Sequence, residues 1–336
     1  MKFYSFHSDC NNVTIFYLDI IKDALNRLGY RVQELDAPHW NTVKSLSRSD
    51  TYFVTTGHKD IPVLRAMGFK HFIHWFQGLP AEEDYLQRHS LWRKWAMSLL
   101  DAISYKRASY GFYVSTYQID FFASKFGREP VRSFVMPCFN ETINRDRFFT
   151  AKKYEKNTFC YVGSVTDAWQ CFGEIAAIYA QLENRNSDCF FKVLTLQVEE
   201  ARDMLRRAGA KNCEVKSVAR DKVSQVIADC KFGFIIRDDI PINHVATPTK
   251  LSNYLSNGVI PVFSSTLLSY RDLATEHDFL VTVDKDDAVR RIEVAMSRLI
   301  SADEVLKSYQ RIFDTYLNRK KFVDEISDDL NRFLNV

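Results

Sequence analysis

The chain has 336 residues, 46% hydrophobic and 26% charged, with only 11 glycines and 8 prolines. This excludes a disordered or low-complexity protein and gives length enough for two globular domains. A formal net charge of +3, from 45 basic and 42 acidic residues, supplies no electrostatic reason for a nucleic-acid partner. The cysteines, Cys10, Cys138, Cys160, Cys171, Cys189, Cys213 and Cys230, never form a C-x-x-C pair and are expected as free thiols. No leader-like apolar stretch opens the chain, and none reaches the ~18–20 residues of a membrane span. The expected location is therefore cytoplasmic, with attachment at the inner face of the cell membrane left open.

Short β-branched and aromatic runs alternate with helical patterns from end to end, as in βα units on parallel sheets. Strands are predicted at 2–7, 32–35, 52–56, 71–76, 111–115 and 132–136, with helices at 13–28, 89–106 and 116–125 between them. Gly29 stands where a left-handed helix end is wanted. The polar stretch 140–157 breaks the series, which restarts at 158–162, 190–196, 213–217, 233–237, 260–263 and 279–283. The expected division is residues 1–150 as a first Rossmann-like domain and 151–315 as a second. Residues 316–336 are expected as a terminal helix crossing back over both. Two doubly wound halves place a cleft at the carboxyl ends of their strands.

One segment carries the most chemistry. After Arg237-Asp238-Asp239, the run Asn243-His244-Val245-Ala246-Thr247-Pro248-Thr249-Lys250 leads into Leu251-Ser252-Asn253-Tyr254-Leu255, Gly258 and the strand Val259-Ile260-Pro261-Val262. Thr247 reads as an N-cap and Pro248 as a first-turn residue, so free N–H groups would face the loop. Lys250 then lies in the first turn, where a cation opposes the helix dipole unless an anion compensates it. A nucleoside diphosphate would be such an anion. An ordinary capped helix with an exposed lysine is the alternative.

These residues resemble the donor-binding helix of GT-B glycosyltransferases related to family 4, in which Pro-x-Lys precedes Glu-Tyr-Leu, a glycine and a Pro-Val strand. Asn253 stands at the position of the glutamate that holds donor hydroxyls, beside Tyr254. Tyr161-Val162-Gly163-Ser164, with Trp169 and Gln170, is similar to the first strand and turn of the family's donor domain, where a glycine turn admits the phosphate. Gln170 lies near the usual position of a diphosphate-neutralising lysine, which makes Arg237 and Lys250 the substitutes. Trp169 reads equally as a packing residue. The resemblance assigns donor contacts to Gly163, Ser164, Trp169, Gln170, Arg237, Asp238, Thr247, Pro248, Thr249, Lys250, Asn253 and Tyr254.

In the first half, His74-Trp75-Phe76-Gln77-Gly78-Leu79-Pro80-Ala81-Glu82-Glu83 resembles a turn of bacterial polysaccharide glycosyltransferases, with Gln77 where many relatives carry a histidine. Glu82 or Glu83 would orient or deprotonate an acceptor hydroxyl, although acidic residues also suit a solvated helix start. Asn11, Gln77, Gly78 and Glu82 are the acceptor candidates; Gln77, Glu82, Glu83, Arg237 and Lys250 are the catalytic ones. Asp284-x-Asp286 reads as a solvated helix start, and His71 and His74 fall on opposite strand faces, so no metal site is expected.

The resemblance implies a metal-independent, retaining hexosyl transfer from a nucleotide sugar to a glycan, here a polyprenyl-linked one, in surface polysaccharide synthesis such as O-antigen, capsule or exopolysaccharide. No cofactor is implied beyond the donor itself. An epimerase of the same fold and an inactive binding subunit are the rivals. The segment from Arg88 to Arg107 joins Leu91, Trp92, Trp95, Leu99 and Ile103 to Arg88, Arg93, Lys94, Lys106 and Arg107. It fits either an anionic membrane surface or a core-facing helix with solvated charges.

Overall fold

The computed structural model describes residues 1–6, 12–35 and 40–335. It divides into two compact units, the first made of Met1–Pro137 with Asn318–Val336 and the second of Cys138–Leu317.

Among the described residues, unit 1 contains β1 (Lys2–Phe6), β2 (Val32–Leu35), β3 (Thr51–Thr55), β4 (His71–Phe76), β5 (Tyr110–Tyr113) and β6 (Ser133–Val135). They pair in parallel in the order β2-β1-β3-β4-β5-β6. Unit 2 contains β7 (Thr158–Val162), β8 (Phe190–Leu194), β9 (Cys213–Lys216), β10 (Phe232–Ile235), β11 (Ile260–Ser264) and β12 (Val281–Val283). Their order is β12-β11-β10-β7-β8-β9, again parallel throughout. Each sheet winds outward from its first strand, then restarts on that strand's other side. The reversal lies between β1 and β3 in unit 1 and between β7 and β10 in unit 2, where such sheets open a crevice at their carboxyl ends.

The central strands of unit 2 are apolar almost without interruption because helices cover both faces of a parallel sheet. Phe159 on β7 stacks on Phe232 and Phe234 of β10, with ring centroids 5.3 and 5.4 Å apart. All three are fully buried.

The expected division after residue 150 moves back to Pro137, because the polar stretch that reads as a linker is absorbed by unit 2. The Cys138 amide donates to Thr247 Oγ1 (2.9 Å), the Asn140 amide to Ser252 Oγ (3.2 Å) and the Asn144 amide to the Ser256 carbonyl (2.9 Å). Phe148 is buried beside Tyr309.

The second boundary falls at Leu317, and the terminal helix Arg319–Leu334 belongs to unit 1. There it packs along the helix Asn12–Arg27: Ser327 Oγ donates to the Ala24 carbonyl (3.2 Å), Arg319 pairs with Asp23 (2.5 Å), and Arg27 pairs with Asp324. Asn318 caps it, its side chain accepting from the Lys321 amide.

Ile326, on the buried face of this helix, has no solvent exposure. Ile326→Ala should lower stability by ~2–5 kcal/mol through lost burial and a residual cavity. Hydrogen exchange should locate the loss in the β1–β6 unit, with protection of β7 and β10 retained.

Candidate functional site

At the reversal point of unit 2, β7 ends in a turn at Gly163, which has a φ of +144°. A Cβ at this position would lie 2.9 Å from both Cε and Nζ of Lys250, and the positive φ is one that L side chains rarely adopt. The Gly163 amide donates to the Leu194 carbonyl (3.0 Å) and is therefore spent on β8.

Lys250 is 9% exposed and Arg237 is 5% exposed. Lys250 lies over the Tyr161 ring, 4.4 Å from its centroid, and its ammonium donates to Tyr161 Oη (3.3 Å) and to Gln170 Oε1. Arg237 Nη1 donates to the Trp169 carbonyl (2.5 Å), and its backbone amide to Ser264 Oγ (2.8 Å). Arg237 Nε is buried without a partner.

Neither cation has an ion pair among the described residues; the partners are a carbonyl, an amide oxygen and a phenol. Burial lowers the pKa of both, and the Arg237 charge lowers Lys250 further, while Asp167 acts on both in the opposite sense. Two adjacent buried cations without a carboxylate are unfavourable by several kcal/mol unless an anion joins them.

The expected helix start is corrected. The helix runs Lys250–Ser256, with Thr249 at the cap position and no side-chain cap bond. Thr247 does not cap it because its hydroxyl accepts from the Cys138 amide. The Pro248 carbonyl accepts from Tyr270 Oη. Thr249 and Asn253 are partly exposed, and Asn253 follows Lys250 by three residues, hence on the same helix face. Tyr254 is removed from the donor set: it is fully buried beneath Gly233, and its hydroxyl donates to the Phe234 carbonyl (3.2 Å).

Ser164 shapes the loop, its Oγ accepting from the amides of Thr166 and Asp167 at 3.3 Å each. Asp238 is held by Lys285 Nζ at 2.7 Å, and this bond lowers its pKa. With Cys171 and Glu174 it forms the one grouping of potential metal ligands among the described residues. The Lys285 ammonium already lies on that grouping, 3.4 Å from Glu174 as well.

A second site lies in unit 1, where a cavity of about 340 Å³ opens at the carboxyl ends of β3 and β4, lined by Thr56, His74, Gln77, Gly78, Glu83 and Asp101 among others. Gln77 accepts from Thr14 Oγ1 (3.0 Å) and donates to Thr56 Oγ1. His74 is buried, which lowers its pKa to about 3 and leaves the ring neutral, with Nδ1 2.7 Å from Thr55 Oγ1.

Glu83 accepts from the Leu79 amide (3.2 Å), and burial raises its pKa. Gly78 leaves room for it, since a Cβ there would lie 2.5 Å from Glu83 Oε1. Asp101, on the helix Leu91–Arg107, accepts from the Ala81 amide; burial raises its pKa to about 7, and Glu83 and Glu82 push in the same direction.

Glu82 is corrected as a base and acceptor candidate. Burial pushes its pKa up, but Lys94 (2.6 Å) and Lys125 (3.1 Å) outweigh this and hold it below the ordinary value. It clamps three helices together. Asn11 lies outside the described residues.

No protein-family model matches the sequence, and no curated protein matches it. Solved structures do match along the whole chain. WaaG, a glycosyltransferase involved in lipopolysaccharide biosynthesis, aligns over 97% of this chain and 99% of its own at 12% identity, with a TM-score of 0.66. Sucrose-phosphate synthase from Thermosynechococcus elongatus aligns over 100% of both chains at 11% identity, with a TM-score of 0.71. HepE from Anabaena, in complex with UDP, aligns over 99% of this chain and 100% of its own at 10% identity, with a TM-score of 0.73.

The fold is GT-B. The two doubly wound sheets expected from the sequence are its two halves.

Within this GT-B frame, Gly163, Trp169, Gln170, Arg237 and Lys250 converge at the unit 2 reversal point, while Gln77, Gly78 and Glu83 share the unit 1 cavity. Sequence reasoning missed Tyr161 and Asp101. Helical spacing places Asp101 on the face opposite Trp92 and Trp95, which would have marked it as an inward acid.

Asp101 also makes a pH test. Its folded pKa is raised above the unfolded ~3.9, so the stability it contributes is present at low pH and is lost as pH rises through about 7. Asp101→Asn keeps an acceptor for the Ala81 amide but removes this dependence. Relative to the parent, it should melt higher at pH 8 than at pH 5 when thermal unfolding is followed by circular dichroism.

Proposed function

We propose that the protein is a glycosyltransferase that moves a sugar from a nucleoside-diphosphate donor to a glycan acceptor without a metal ion. The observation that carries this reading is the pair of buried, unpaired cations, Arg237 and Lys250, at the reversal point of unit 2. Cleavage of the sugar–phosphate bond leaves negative charge on the diphosphate, and preorganised cations in a partly desolvated site stabilise such charge most as it develops. Beside them a cavity of about 350 Å³, lined by Gly163, Ser164, Thr195, Leu196, Ser217 and Val218 among others, offers apolar walls and backbone edges to a nucleoside. HepE and TarM have been crystallised with UDP, which makes UDP the first nucleotide to try.

Asn253 stands ready for a hydroxyl of the donor. The unit 1 cavity, with neutral His74, the Gln77 amide and the Glu83 and Asp101 carboxyls, suits the hydroxyls of an uncharged sugar ring, so we assign it to the acceptor. In a retaining transfer the departing phosphate itself takes the acceptor proton, and no dedicated base is needed. An epimerase would require an acid and a base flanking the donor sugar, a pair that the sequence does not mark out. The biosynthetic role of WaaG directs the proposal toward surface polysaccharides, with a lipid-linked glycan as the acceptor.

Calorimetry with UDP, GDP and ADP in EDTA tests the donor site. One of them should bind without metal, and Lys250→Ala should weaken it by roughly tenfold to a hundredfold, the equivalent of ~1.5–3 kcal/mol for a charged hydrogen bond. Without nucleotide the variant should unfold no earlier than the parent, since a buried charge beside Arg237 has been removed. Undiminished affinity in the folded variant would take Lys250 out of the donor site. Turnover abolished by chelator and restored by magnesium would overturn the metal-free mechanism.

A further inference from the structure

The helix Leu91–Arg107 is inverted relative to an ordinary helix on the surface of a globular unit. Its inward face carries Asp101, Ser104 and Tyr105, all buried. Its outward face carries Leu91, Trp92, Trp95 and Leu99, which are 70%, 72%, 59% and 50% exposed. At 100° per residue these four fall within an arc of about 100°. The two indoles stack on one another, with ring centroids 5.3 Å apart and planes at 21°, so they form one continuous apolar face. Four large side chains in one exposed strip are more than a solvated helix retains without a partner.

The charge around the strip selects the partner. Between Leu91 and Arg107 the only acid is Asp101, which is 5% exposed and turned inward. The cations are Arg93, Lys94, Lys106 and Arg107. Arg93 and Lys94 pair with Asp84 and Glu82 of the helix Pro80–Arg88, carboxylates whose side chains are only 11% and 16% exposed. Lys106 and Arg107 are exposed at the carboxyl end of the strip. A surface of indoles and leucines bordered by cations matches the headgroup region of an anionic bilayer, where tryptophan is enriched at the interface and basic residues meet lipid phosphate. No helix among the described residues is long and apolar enough to cross a membrane, so attachment through this face would be peripheral.

We infer that the outward face of the helix Leu91–Arg107 is a membrane-docking surface that lays unit 1 on an anionic lipid bilayer. Trp92 and Trp95 enter the interface, and Lys106 and Arg107 engage the headgroups. This stands apart from the sugar-transfer reading, because it uses no residue of the donor site or of the unit 1 cavity.

The test is co-flotation of the full chain with phosphatidylcholine vesicles containing about one third phosphatidylglycerol, compared with phosphatidylcholine alone. The protein should float with the anionic vesicles, and less so in about 1 M NaCl, where the screening length falls to ~3 Å. Tryptophan emission should shift to the blue and be quenched by lipid brominated high on the acyl chain.

Trp92→Ser with Trp95→Ser should reduce binding by roughly tenfold or more and abolish the emission shift. Lys106→Gln with Arg107→Gln should reduce binding to the anionic vesicles alone. Both variants should keep the parent's melting temperature and nucleotide affinity, so a failed donor site and a failed docking face read out separately. The proposal is overturned if the parent does not float with anionic vesicles, or if the double tryptophan variant floats equally well. It is also overturned if, without lipid, the parent sediments as a dimer that the tryptophan variant dissolves, since the strip would then be a self-association surface.

Discussion

The structure of unit 2 turns on two positive charges held next to each other away from water. Arg237 reaches its place because β10 ends two residues earlier, and Lys250 because its helix directs it under the Gly163 turn. Neutral oxygens hold both: a carbonyl for one, a phenol and an amide for the other. Such partners fix position without cancelling charge, so the pair remains attractive to an anion. A carboxylate in place of Gln170 would neutralise Lys250 and remove that attraction.

Unit 1 presents the opposite electrostatics. Its cavity gathers Glu83 and Asp101, each bonded to a backbone amide at the start of the helix Pro80–Arg88 and each raised toward the neutral acid by burial. The neighbouring Glu82, one residue away, is fully committed to Lys94 and Lys125. Consecutive glutamates thus separate into a structural clamp and a cavity wall, because successive helix positions point about 100° apart.

Alternating patterns were enough to read the strands, since parallel strands covered on both faces are written as short apolar runs. The cation site was legible in part. Lys250 stood out by its place after Thr-Pro-Thr, but Thr247 was misread as a cap because its hydroxyl is claimed by Cys138, far away in sequence. Tyr254 looked like a ligand contact by motif, whereas Gly233 opens the space that draws its ring into the core. The division at Pro137 was hidden for a similar reason: a polar stretch reads as a linker until the hydroxyls of Thr247 and Ser252 take up its amides. What local pattern decides was readable; what one distant hydroxyl decides was not.

The placement of the last helix bears on how the chain acquires its structure. Unit 2 is one continuous segment, Cys138–Leu317, whereas unit 1 needs the helix Arg319–Leu334 against Asn12–Arg27. During synthesis from the amino terminus, the strands of unit 1 emerge first but cannot bury the face of Asn12–Arg27 until that last segment appears. Unit 2 has all its parts earlier. Unit 1 is therefore completed after unit 2, and until then the helix Asn12–Arg27 exposes the face that Arg319–Leu334 later covers.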